Sequence, residues 1–165
     1  GFNLLGGDVA VEGISQDTLQ GDSVYLSMYK ALQSGEKKFD LSNCPDLAPV
    51  MFAIAAYCGG AEFTGTARLK IKESDRASVM AEELKKFGVD VTVYDNSVVV
   101  HNCILKEPID ALNGHNDHRI VMALSLLCSV TGGEIEGAQA VSKSYPDFFE
   151  AIEKLGIKIE KSDKL

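Results

Sequence analysis

The chain has 165 residues, 45% hydrophobic and 24% charged, which fits one globular domain with a sizeable core and excludes a disordered or fibrous chain. Its net charge of -8, from 24 acidic against 16 basic residues, argues against nucleic acid as a partner, because backbone binding requires broad basic surface. Any anion site must therefore be local.

In chain order, the opening "GFNLLGGDVAVEG" lacks the basic start and apolar core of a signal peptide. The longest apolar run, near "VMFAIAAYC", is far shorter than the roughly 20 residues that span a bilayer, so no membrane partner and a cytoplasmic location are expected. A strand is predicted within 7–13, then a helix in "QGDSVYLSMYKALQSG" closed by Gly35. "PDLAPVMFAIAAYCGG" predicts a helix with Pro45 in its first turn and Gly59 and Gly60 as its stop; it is apolar nearly all round and so belongs inside. "GAEFTG" reads as a strand, and "SDRASVMAEELKKFG" as an amphipathic helix with Ser74 as N-cap and Gly88 as stop. In "VDVTVYDNSVVVH", alternating valines about Asp95 and Asn96 predict a hairpin. "NDHRIVMALSLLCSVTGG" is a second buried helix, capped by Asn116 or Asp117 and stopped by Gly132 and Gly133. "GEIEG" predicts a strand, "SYPDFFEAIEKLG" a helix with Pro146 in its first turn and Gly156 as stop, and "IKIEK" a final strand. Cys44, Cys58, Cys103 and Cys128 are widely spaced with no CxxC pair, which favours free thiols in a reducing compartment over disulfides or zinc.

A unit recurs in this pattern: strand, helix, strand, helix and hairpin, or βαβαββ. We divide a single domain, 1–165, into a partial unit over about 1–42, which lacks its opening strand and helix, and further units over 43–104 and 105–161. The fold class is α/β, with buried helices and outer mixed sheets.

Helix N-termini carry a positive partial charge and unpaired N–H groups, so acidic residues belong there and basic ones do not. Lys70, Lys72 and Arg76 break this rule in "LKIKESDR", His118 and Arg119 break it in "NDHR", and Lys143 stands just before the helix of "SKSYPDFFE". Recurrence of misplaced cations in an acidic chain predicts helix ends that converge on one anion. The bland alternatives are a solvated face for Lys70, Lys72 and Arg76, a structural histidine at 118 and a surface lysine at 143. Asp46 and Glu73, set beside such charge, are candidate general bases, or else mere caps.

"LKIKESDR", "NDHRIVMA" and "VSKSYPDFFE", with "LQGD" and "NCPDLAP" upstream, resemble the C-terminal part of the 5-enolpyruvylshikimate-3-phosphate synthase family. The resemblance implies half of an inside-out α/β barrel, built from βαβαββ units, that faces a second, N-terminal domain absent from this chain. It implies transfer of the enolpyruvyl group of phosphoenolpyruvate to the 5-hydroxyl of shikimate-3-phosphate, with phosphate released, no cofactor and no metal. Carried over by motif, Arg76, Arg119 and Lys143 would hold phosphoenolpyruvate, Asp46 would be the base at the 5-hydroxyl, and Lys143 would also be catalytic, coupled to Asp46 and Glu73 in the proton transfers. Lys72 would contact shikimate-3-phosphate, Glu73 would move a proton at the phosphoenolpyruvate methylene, and His118 would bond beside it. The full-length protein is expected to be a monomer, and this chain alone is expected to be inactive. Transfer to UDP-N-acetylglucosamine and a non-catalytic anion-binding module are the competing readings.

Overall fold

The computed structural model describes residues 1–10 and 19–162. After a tight 3-10 turn at Gly21–Val24, α1 (Tyr25–Gln33) ends where Gly35 takes a positive φ of 96° and Glu36 N–H bonds back to Ala31 O at 2.9 Å, as the sequence predicts. Then come β1 (Lys38–Asp40), a 3-10 turn Pro45–Leu47 running into α2 (Ala48–Tyr57), and β2 (Ala61–Thr64). The 3-10 segment Ala67–Ile71 precedes α3 (Arg76–Lys86), and β3 (Val91–Val93) and β4 (Ser97–Val100) form the hairpin. Finally β5 (Leu112–Asn113), α4 (His118–Thr131), β6 (Ile135–Glu136), a 3-10 segment Ala138–Lys143 and α5 (Phe148–Lys154) complete the described chain.

One whole βαβαββ unit is present, from β1 to β4, and its opening strand lies ahead of residue 43. Its sheet runs β1-β2-β4-β3, with β1 and β2 parallel across the α2 crossover and the other neighbours antiparallel. Side chains alternate across the pleat: Phe39, Ala61, Phe63, Val98 and Val100 face inward, while Lys38 and Glu62 pair outside at 3.4 Å. Phe63 joins sheet to helix, its ring centroid 4.9 Å from Phe52 on α2 and 5.6 Å from Phe39. α2 buries Ala48, Pro49 and every residue from Met51 to Ala56, and packs on both α3 and α4. The helices therefore lie inside and the four-stranded sheet outside. Burying a side chain such as Phe52 contributes about 1.5–3 kcal/mol over exposing it.

Several local expectations are corrected. Residues 7–10 form no strand, and the rest of the strand predicted within 7–13 lies outside the described residues. Asp75, not Ser74, caps α3, its carboxylate accepting from Ser78 N–H, because Ser74 Oγ is turned to Asp117 at 3.0 Å. α5 begins at Phe148 with Asp147 at its N-cap, so Pro146 stands before the helix rather than in it. The "GEIEG" strand shortens to two residues, and "IKIEK" forms no strand. Ile157 and Ile159 still pack on a small second core of Val121, Ala140, Val141, Phe148 and Ile152. Their alternation serves packing, but a strand requires a ladder partner, and among the described residues no strand is paired with them. Among the described residues no helix is long and apolar enough to cross a membrane.

Candidate active site

The starts of α2, α3 and α4 meet. Asp46 lies in the 3-10 turn that opens α2, held there by Pro45, which fits a first turn because it has no N–H to leave unpaired. Its carboxylate is the meeting point of three cations: Lys72 Nζ at 3.0 Å, Arg76 NH1 at 2.8 Å and Arg119 NH2 at 3.1 Å. Arg119 NH1 also donates to the Asp46 carbonyl at 3.2 Å.

Arg76 ties this opening to the core. Its side chain is 1% exposed, the largest fully buried one described. On the inner side Nε donates to Asp117 at 2.9 Å, and Asp117 is 0% exposed. On the outer side NH1 reaches Asp46 and NH2 reaches Glu73, both partly exposed. Asp117 also caps α4, accepting from Arg119 N–H at 2.9 Å, and takes the Ser74 hydroxyl. Arginine suits this place because its rigid fork satisfies several carboxylates at once.

The charges set the titration. Burial works against the ionised form of Asp46, yet the hydrogen bond from Lys72, the charge of Arg119, the hydrogen bond from Arg76 and the charge of Lys72 outweigh it and hold the carboxyl below its ordinary value. Asp117 is likewise opposed by burial and held low by Arg76, by Arg119 N–H and by Ser74. Arg76, though buried, is pushed up by Asp117, Glu73 and Asp46. All three are therefore ionised at neutral pH.

The remaining expected residues take distinct places. Glu73 sits beside Arg76, with His118 Nδ1 3.9 Å from its other oxygen, and that buried Nδ1 has no hydrogen-bond partner among the described residues. Lys143 ends the 3-10 segment, well before α5, and its ammonium reaches the Asn116 carbonyl at the entry to α4. The third cation thus joins the α4 end and not a third helix start. Lys70 turns away to pair with exposed Asp95 at 3.4 Å, so the solvated-face alternative holds for it.

Beside Asp46 and Arg119 lies a depression of about 460 Å³ whose lining includes Gly21, Asp22, Asn43 and Arg68. Gly21 allows the close approach there, since a Cβ on it would stand 2.2 Å from Asn43 O. Arg68 was not foreseen, because an exposed arginine in a 3-10 turn looks like any surface cation. The ion-pair role of Asp117 was hidden by its obedience to the capping rule.

An α/β domain of the βαβαββ kind, with carboxylates and cations gathered at its helix starts, is the class defined here. Comparison with known proteins is specific: the profile of "EPSP synthase (3-phosphoshikimate 1-carboxyvinyltransferase)" matches residues 3–152. The chain belongs to that family. It is 37% identical to the 3-phosphoshikimate 1-carboxyvinyltransferase of Clostridium acetobutylicum over 93% of this chain and 40% of that protein. Against that of Clostridium kluyveri it is 36% identical over 96% of this chain and 42% of that protein. Among solved structures, an EPSP synthase from Acinetobacter baumannii matches 87% of this chain and 30% of its own at a TM-score of 0.64 and 30% identity. The chain thus spans about two fifths of the curated relatives it matches.

Proposed function

We propose that the intact protein transfers the enolpyruvyl group of phosphoenolpyruvate to the 5-hydroxyl of shikimate-3-phosphate and releases phosphate, and that this chain is most of its C-terminal domain. The observation that carries this reading is the convergence of Lys72, Arg76 and Arg119 on Asp46 from separate helix beginnings in a chain of this family. Both substrates carry phosphate and carboxylate, and cations at helix starts are suited to such groups. Arg119, Lys72 and Lys143 meet them first, being accessible, and the outer edge of Arg76 follows as Glu73 gives way. The N-terminal domain supplies the opposite wall of the cleft. Four unpaired thiols fit a reducing compartment such as the cytoplasm.

In this reaction C3 of phosphoenolpyruvate takes a proton while the 5-hydroxyl oxygen adds to C2. The tetrahedral intermediate then loses a proton from the former C3 and phosphate from C2. Asp46 receives the hydroxyl proton. Paired with three cations it is fully ionised but a weak base. When anionic substrates draw those cations toward themselves, less positive charge stabilises its carboxylate and its basicity rises. Glu73, with His118 beside it, serves the proton at C3.

Phosphate release by the intact protein, dependent on both substrates, tests the proposal. Release with UDP-N-acetylglucosamine as acceptor and none with shikimate-3-phosphate would overturn it.

A further inference from the structure

The turn entering α4 is conformationally unusual. His115 and Asn116, at φ 47° and 53°, are the described non-glycine residues with positive φ, a region that L-residues avoid because Cβ crowds the backbone. Two such residues in succession persist only where the surroundings hold them.

The holder is Glu83, a residue of α3 that plays no part in the opening. Its carboxylate is 0% exposed. It accepts from Lys86 Nζ at 2.9 Å, from Asn113 N–H at 2.9 Å and, through its other oxygen, from His115 Nε2 at 2.8 Å. Lys86 Nζ in turn donates to the Ala111 carbonyl at 3.0 Å, so both ends of the clamp are fixed. A buried carboxylate is tolerable only when bonded in this way, which makes its position rigid. Glu82, Glu83 and His115 could in geometry group about a metal ion, but the Lys86 ammonium already bridges both Glu83 oxygens at 2.9 and 3.1 Å. On its far side the turn delivers three things: the Asn116 carbonyl that takes Lys143, the Asp117 N–H bonded to Gly114 O at 2.9 Å, and the Asp117 carboxylate that holds Arg76 and Arg119 N–H.

We propose, building on the enolpyruvyl-transfer reading of this site, that Glu83 is a positioning residue. By clamping His115 and the Asn113 N–H, it holds the left-handed His115–Asn116 turn, and through that turn it sets Lys143 and Asp117 for the substrate anion. Tertiary placement of this kind matters to rate because displacements of about 1 Å cost up to about a hundredfold.

The test is Glu83→Gln in the intact protein, which keeps the side chain's size but turns an amide NH2 toward Lys86 or His115. Amide hydrogen exchange at Gly114 and Asp117 should quicken about tenfold or more while that of β2 and β4 stays unchanged. Efficiency with phosphoenolpyruvate should fall roughly ten- to a hundredfold. Asn116→Gly, which keeps the carbonyl and accepts positive φ without strain, should restore most of both losses in the Glu83→Gln background. In a Lys143→Ala background, Glu83→Gln should cost less activity than it does in the unsubstituted protein, because the part of its effect that runs through Lys143 is already lost and only the part through Asp117 remains. Uniform acceleration of exchange across the chain, absence of rescue by Asn116→Gly, or full additivity with Lys143→Ala would each overturn the proposal. If the unsubstituted protein turns over no substrate, the enolpyruvyl-transfer reading fails, while exchange and its rescue still decide whether Glu83 holds the turn.

Discussion

Replacing Asp117 by alanine is the sharpest perturbation of the charge network. Asp117 is 0% exposed and bonded to Arg76, itself 1% exposed, so solvent does little to screen the loss. Removing one partner of a buried ion pair costs about 3–5 kcal/mol, chiefly because the other charge is left uncompensated. Loss of the α4 cap to Arg119 N–H adds about 1 kcal/mol. The sum, about 4–6 kcal/mol, is a large part of the roughly 5–15 kcal/mol that holds a domain together. In a protein of this size it lowers the melting temperature by roughly 10–20 °C. Urea unfolding followed by circular dichroism measures it, with Asp75→Ala as control, since Asp75 caps exposed Ser78 alone and should cost about 1 kcal/mol. If Asp117→Ala costs no more than Asp75→Ala, then Asp46 and Glu73 suffice to compensate Arg76, and Asp117 is only a cap.

Further outcomes follow from the same geometry. Asp46→Asn in the intact protein should lower kcat about a hundred- to ten-thousandfold, as loss of a general base does, with KM for phosphoenolpyruvate changed far less; steady-state phosphate release checks it. Asp46 and Asp117 have lowered folded-state values, so their stabilisation is fully present above the unfolded carboxyl value of about 4 and is lost as pH falls below it. Unfolding free energy should therefore drop steeply from about pH 4 downward, and Asp117→Asn, less stable at neutral pH, should show a shallower acid limb. Gly114→Ala would put a Cβ 2.6 Å from Val121 Cγ2 and 3.1 Å from two backbone oxygens, so a thermal scan should show a loss of about 1–3 kcal/mol. Burial pushes the Cys128 thiol up to about 12, so iodoacetamide at pH 8 should leave it unlabelled until the protein is unfolded.

Local chemistry in the sequence already placed α2, α3 and α4 and their stops. An all-round apolar run can only be buried, and Gly59, Gly88 and Gly132 take the positive φ at which helices end. The hairpin at Asp95 and Asn96 was equally legible, because alternating valines state which face is inside. The failed strand at "IKIEK" shows the boundary of that logic, since its alternation is real but a ladder depends on a distant neighbour.

From the sequence alone came the βαβαββ pattern that β1 to β4 form whole, the buried helices and the suspicion that Lys72, Arg76, Arg119 and Lys143 serve an anion, all consequences of period, propensity and charges set against the helix dipole. Tertiary structure alone decided which cation is buried and whom each one meets. Arg119 finds Asp46 73 residues away and Arg76 finds Asp117 41 residues away. It also turned Glu83, to the eye one more acid on an amphipathic helix, into the clamp beneath a strained turn. The physical reason is that electrostatic partners are chosen by burial and by distances of about 3 Å, and the packing of α2 against α3 and α4 sets both.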